Sequence, residues 1–168
     1  METLDCQNMV DRVRKASETR KNADTQKEED FEADETRPLI PEGVYHVCCI
    51  RIEKGASHFK SLKMFLGFKI VNAGQYMGTE LFMAMNMINT KTGKPFKKVP
   101  RGSKYFEQWV IANRNINPAR HDRMSPSIFK NGIFNAVVRT VKPNFPDGTE
   151  KPDCFHYSII DYLKERIT

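Results

Sequence analysis

The chain has 168 residues, room for one domain and a tail, with 27 Lys and Arg against 21 Asp and Glu for a net charge of +6. It contains no apolar run of the roughly 18 residues that a membrane-spanning helix needs. Its start, Met1-Glu2-Thr3-Leu4-Asp5, lacks the basic and apolar regions of a secretory signal.

The charge is divided at Arg37. Residues 1–37 carry 11 acidic and 7 basic side chains, and residues 38–168 carry 10 acidic and 20 basic. A body of net +10 suits a polyanionic partner, and an acidic arm suits a competitor for the same surface. Four cysteines occur, Cys6, Cys48, Cys49 and Cys154. The adjacent Cys48 and Cys49 sit in an apolar run, as reduced core thiols do, so a cytoplasmic location is expected.

Residues 1–37 are polar and poor in branched apolar side chains, and a disordered acidic tail is expected there. A short helix near residues 5–21 is compatible with the stripe Met9, Val10 and Val13. Glu28, Glu29, Asp30, Glu32, Asp34 and Glu35 surround Phe31. That cluster reads either as a solvated linker or as an acidic decoy with an aromatic anchor.

From residue 38 the pattern becomes that of a folded domain, 38–168. After the turn-rich stretch Pro38-Leu39-Ile40-Pro41-Glu42-Gly43, residues 44–54 are rich in β-branched and aromatic side chains and predict strand one. Residues 55–61 form a loop, residues 62–71 strand two, residues 72–78 a glycine-punctuated turn and residues 79–88 strand three. Residues 89–102 read as a long basic loop.

Helical spacing then appears over residues 103–114, with Tyr105, Phe106, Trp109 and Val110 three and four apart and Ser103 as N-cap. A second short helix is predicted at 126–130, between the cap Ser125 and Gly132. Residues 132–141 predict strand four, 142–153 a proline-rich loop and 154–162 strand five, followed by a charged tip.

The fold class is therefore mainly β, and the order is three strands, a helix and two strands. That is the order of a five-stranded OB-like Greek-key barrel with its helix between strands three and four. Trp109, with Phe106 and Val110, is the expected plug of the barrel bottom.

Such a barrel binds single strands along strands two and three and the flanking loops. On strand two, Met64, Leu66, Phe68 and Ile70 share one face, and Lys63, Phe65, Gly67 and Lys69 the other. Strand three sets Leu81, Met83, Met85 and Met87 against Phe82, Ala84 and Asn86. An aromatic between lysines has the composition of a stacking platform in a basic groove, although Phe65 and Phe82 also fit ordinary core. The first loop adds Lys54, Phe59 and Lys60, with His58.

The stretch 91–104 carries six positive charges. Lys94, Lys97, Lys98 and Arg101 suit phosphate contacts, and Phe96 suits stacking. Arg114, Arg120, His121 and Arg123 form a second positive cluster, which Arg139 and Lys142 extend.

No glycine-rich phosphate loop and no Cys-x-x-Cys pair is present. His46-x-Cys48 and Cys154-x-His156 could each offer two metal ligands only if they converged, and core cysteines explain them more simply. His121-Asp122 is a bare dipeptide, and the carboxylates show no paired spacing for acid and base roles. No catalytic residue, metal or cofactor is expected.

The stretch Pro41-Glu42-Gly43-Val44-Tyr45 resembles a family of small proteins encoded by phages and mobile elements near replication and recombination genes. So do strand 63–71, the turn Gly74-Gln75-Tyr76-Met77-Gly78-Thr79, and Gly132 before the fourth strand. The resemblance implies an OB-fold single-strand binder or replication accessory. Acidic tails in that family are C-terminal, whereas here the acidic segment is N-terminal. The expected function is sequence-tolerant binding of single-stranded nucleic acid, DNA in preference to RNA, in replication or recombination of a phage or mobile element. The acidic tail is a candidate dock for a replication or recombination protein. The alternatives are a protein-interaction or virion-associated module and, less supported, a phosphodiester-cleaving enzyme.

Overall fold

Alternating apolar side chains set the architecture in the computed structural model, which describes residues 37–56, 62–120 and 122–168. The acidic tail to Thr36, the short helix expected near residues 5–21, Phe59, Lys60 and His121 lie outside the described residues. Arg37–Thr168 form one compact unit.

Five strands carry the fold: β1 (Gly43–Ala56), β2 (Leu62–Ile70), β3 (Glu80–Asn86), β4 (Ile133–Val141) and β5 (Tyr157–Arg166). They make one antiparallel sheet in the order β3-β2-β1-β4-β5. The chain is mainly β, and among the described residues it has one α-helix, α1 (Lys104–Ala112), which falls between β3 and β4 in the sequence.

The period of two on β2 and β3 is read directly by burial. Met64, Leu66, Phe68 and Ile70 on β2 are buried, as are Leu81, Met83 and Met85 on β3. They join Val47, Phe134, Ala136, Val138, Ile160 and Leu163 in one core. Burying an aliphatic or aromatic side chain of this size stabilises by roughly 1.5–3 kcal/mol.

On β1 the period breaks. Val47 and Cys49 are buried, and a bulge between Cys49 and Arg51 then turns Ile52 toward Leu66 and sends Arg51 and Glu53 to the opposite face, beside Gly67 and Phe65. The sequence carries the sign of this switch: the apolar positions move from 47 and 49 to 50 and 52.

Helix α1 begins as its cap chemistry dictates, with the Ser103 hydroxyl accepting from the Phe106 N–H at 3.2 Å. It ends in a Schellman turn. The Arg114 N–H donates to Ile111 and the Asn115 N–H to Val110, with Arg114 at φ 56 in the left-handed region. Its core face is Tyr105, Trp109 and Ala112. Of the residues expected with Trp109, Val110 is half-buried and packs against that cluster, whereas Phe106 is buried outside it. The Tyr105 hydroxyl donates to the Met124 carbonyl at 2.7 Å, and the Trp109 indole N–H to the Ser125 carbonyl at 2.9 Å. The expected short helix is a one-turn 3-10 helix, Pro126–Phe129, capped by Ser125. Gly132 follows, and a Cβ there would stand 2.7 Å from the Phe134 ring.

Strand five lies further along the chain than residues 154–162. Asp153–Phe155 is a 3-10 turn, and β5 runs through the charged residues as far as Arg166. The Arg166 guanidinium explains this, because it donates to the carbonyls of Ala112 (3.0 Å) and Ile128 (3.1 Å) and so ties the strand end to α1.

The edge strands β3 and β5 approach each other, and Phe82 and Tyr157 stack across the seam with centroids 6.3 Å apart. Two donors of β5 are taken from outside the sheet. The Ser158 N–H donates to the Pro38 carbonyl (2.8 Å), and the buried Leu163 N–H donates to Oε1 of Gln108 on α1 (2.6 Å). The Ser158 hydroxyl also accepts from the Ile40 N–H and donates to the Ile40 carbonyl. Because Gln108 is buried, Gln108→Ala leaves the Leu163 N–H without a partner. The expected loss is about 1–3 kcal/mol in urea unfolding, with no change of slope.

Burial also holds two acidic groups neutral. It pushes the Cys49 thiol from 9.0 up to about 12, with Cys48 adding to the effect, and the Tyr105 hydroxyl from 10.0 up to about 12. The folded chain resists these ionisations and the unfolded chain does not. Their contribution to stability is therefore complete below pH 9 and is lost as the pH rises toward 12. Urea midpoints measured across that range are expected to fall, and to fall less steeply for Tyr105→Phe.

Candidate nucleic-acid interface

The face of β2 and β3 turned away from the core carries Lys63, Phe65, Gly67 and Lys69 beside Phe82, Ala84 and Asn86. Phe65 and Phe82 are half-buried, with ring centroids 6.4 Å apart and planes tilted by 55°. They line a shallow depression of about 310 Å³ together with Arg37, Arg51, Glu53 and Gly67.

Each neighbour has a local cause. Gly67 leaves room for Arg51 to cross β2, since a Cβ there would sit 3.2 Å from both Cβ and Nε of Arg51. Arg51 thereby reaches Glu80 at 3.1 Å, and Lys69 meets the same carboxylate at 3.6 Å. Arg37, held by the Pro38–Ile40 contacts to Ser158, lies over the seam. Its guanidinium carbon is 4.6 Å from the Tyr157 centroid and 5.5 Å from that of Phe82.

A second, larger cleft of about 750 Å³ continues from this face. Its walls are Lys63, Ala84 and Asn86 on the sheet, Lys91 and Phe96 beyond β3, and Lys104 at the start of α1. Much of the expected basic loop is an ordered hairpin. Ile88 bridges Pro95, the Asn89 N–H donates to Lys94 and the Phe96 N–H to Met87 (both 2.9 Å), and Gly93 turns at φ 65. The Asn89 side chain accepts from the Lys91 N–H at 2.9 Å and fixes the turn.

A third cavity of about 860 Å³ lies between Lys97, Lys98, Arg101, Phe106 and Met124.

The structure thus brings Lys63, Phe65, Phe82 and Phe96 onto two adjoining depressions. Lys69 borders them but is ion-paired. Lys97, Lys98 and Arg101 face the third cavity instead, and Lys94 is exposed beside the Gly93 turn. Lys54 stands opposite Met64 and so belongs to the other face of the sheet from Phe65. Arg139 pairs with Asp161 at 3.3 Å and Lys142 with Glu150 at 3.6 Å. In the expected second cluster, Arg120 pairs with Asp122 at 2.9 Å.

Tyr157, Arg37 and Arg51 were not singled out in the sequence, and Lys104 was counted only among the charges of its loop. The bulge in β1 placed Arg51, the approach of β5 to β3 placed Tyr157, and the contacts of Pro38 and Ile40 with Ser158 placed Arg37.

His46 and Cys48 are exposed and half-buried, Cys154 is exposed, and His156 is buried, with Nε2 against the Lys151 carbonyl (3.1 Å) and Glu150 (3.3 Å). Among the described residues no three His, Cys, Asp or Glu side chains converge as a metal site.

No protein-family model matches this chain, and no curated protein matches it.

Arg37→Ala is expected to uncover the Phe82–Tyr157 pair and to cost about 0.5–1 kcal/mol in urea unfolding. An unchanged midpoint would mean that the guanidinium does not rest on the rings in solution.

Proposed function

We propose that residues 38–168 form an OB-like barrel that binds single-stranded DNA without strict sequence preference, as a non-enzymatic factor in replication or recombination of a phage or mobile element. The observation that carries this reading is the pair Phe65 and Phe82, outward on β2 and β3, with Arg37, Arg51 and Lys63 around it. Bases stack on exposed aromatic faces while cations follow the phosphates, a combination tolerant of sequence because every base has a π-face. Two features support the barrel. The sheet order is β3-β2-β1-β4-β5 with α1 between β3 and β4 in the chain, and the edge strands meet at Phe82 and Tyr157. The acidic segment 1–37 is proposed to engage a replication or recombination protein.

One observation favours a protein-interaction module instead. Val44, Val137 and Tyr162 stand in register across β1, β4 and β5, and Val44 and Tyr162 are 51% and 42% exposed. A protein partner covering that apolar row would leave binding to nucleic acid weak and insensitive to salt.

Fluorescence anisotropy with a labelled single-stranded oligonucleotide separates the two. Phe65→Ala and Phe82→Ala are each expected to weaken binding by about 1–3 kcal/mol, roughly 5- to 150-fold. Affinity is expected to fall with a log–log salt slope of about −0.7 per phosphate contacted. Unchanged affinity in both variants, with the fold intact, sinks the proposal.

A further inference from the structure

The cations of the sheet face divide into two groups. Arg51, Lys69, Arg139 and Lys142 are each committed to a carboxylate. Lys63, Lys91 and Lys104 form no ion pair among the described residues, and all three line the 750 Å³ cleft between the β2–β3 face, the hairpin after β3 and the start of α1. Like charges gathered without counter-ions repel one another, and an anion in the cleft would relieve that repulsion. Lys104 is the strongest case: it is half-buried, and Asp161, whose charge acts on it, is engaged by Arg139.

The rest of the cleft is not that of a simple anion site. Phe96 and Ile88 supply an apolar wall, held in place by the hydrogen bonds that close the hairpin. Ala84, between Phe82 and Asn86 on β3, keeps the floor open, and the amide of Asn86 is exposed at the rim. The volume is within the roughly 300–1,000 Å³ usual for small-molecule sites. A ligand that uses all of this has a phosphate at one end and a flat, hydrogen-bonding ring at the other.

We propose that this cleft is a nucleotide site, with the phosphate on Lys63, Lys91 and Lys104 and the base against Phe96. The site stands on the cleft alone and does not require the strand-binding reading. Where that reading also holds, Lys63 links the two, because it lies two residues from Phe65 on the same strand face, roughly 7 Å along β2. One nucleotide of a bound strand then enters the cleft and its neighbours cross the Phe65–Phe82 platform.

The test uses the full chain, titrated by amide chemical shifts with adenosine monophosphate, adenosine and inorganic phosphate in turn. Adenosine monophosphate is expected to saturate, with shifts centred on residues 86–104, and to bind about tenfold more tightly than adenosine or phosphate alone. Lys104→Gln, Lys91→Gln and Phe96→Ala should each weaken it severalfold. Lys91 is exposed on the hairpin, so its variant remains informative if Lys104→Gln perturbs the fold. Phosphate binding as tightly as the nucleotide, or affinity indifferent to both Lys91→Gln and Phe96→Ala, overturns the site. Nucleotide binding without oligonucleotide binding would keep the cleft and discard the strand-binding function. Oligonucleotide binding that adenosine monophosphate neither shares nor competes with would do the reverse.

Discussion

The free edge of β5 is the constraint on which the rest of the structure depends. A buried backbone donor without a partner costs about 1–3 kcal/mol, so each N–H on that edge must find an acceptor. The Ser158 N–H is satisfied by the Pro38 carbonyl and the Leu163 N–H by Gln108. These two bonds fix the lead-in segment at one end of the seam and α1 at the other. Between β3 and β5 side chains meet, above all Phe82 and Tyr157. The seam is therefore a structural joint and a half-buried aromatic pair beneath Arg37. Arg37 lies on it because Pro38 and Ile40 are bonded to Ser158.

The second constraint is the set of bulges. In β1 the bulge after Cys49 turns Arg51 and Glu53 outward. In β5 the irregularity opposite Val137 and Val138, where Asp161 is the extra residue, brings both Ile160 and Leu163 to the core, although they are three positions apart. Without the bulge in β1, Arg51 would point into an apolar interior. Without the one at Asp161, Tyr162 or Leu163 would exchange faces. Bulges thus decide which charges surround the platform, and Gly67 leaves the room in which Arg51 crosses β2.

These features explain what the sequence disclosed. Strands with strict alternation, β2 and β3, were legible in position and in face, and with them Lys63, Phe65 and Phe82. The start of α1 was legible because Ser103 caps by a local bond. Strand five was misplaced because its apolar alternation is broken by the irregular pairing, and because Lys164, Glu165 and Arg166 look like a solvated tip. Only the contact of Arg166 with Ala112 and Ile128, far away in sequence, makes them strand. The same reason hid Tyr157, Arg37 and Arg51. Each reaches the site through a long-range contact that no local pattern announces. The place of Phe96 in the wall of the cleft was equally hidden, since it depends on the hairpin closed by Asn89 and Gly93.

Charge distribution, rather than total charge, separates the two depressions. The body carries ten more basic than acidic side chains, yet Glu53 lines the Phe65–Phe82 platform and Glu80 holds both Arg51 and Lys69 in ion pairs beside it. Exposed pairs of this kind are worth about 0–1 kcal/mol and exchange readily with an incoming anion. Phosphate at the platform must compete with them, whereas phosphate in the cleft meets lysines that have no partner to give up among the described residues. The cations with most positive charge left uncompensated therefore line the cleft rather than the platform, a difference set by where the carboxylates fall along β1 and β3.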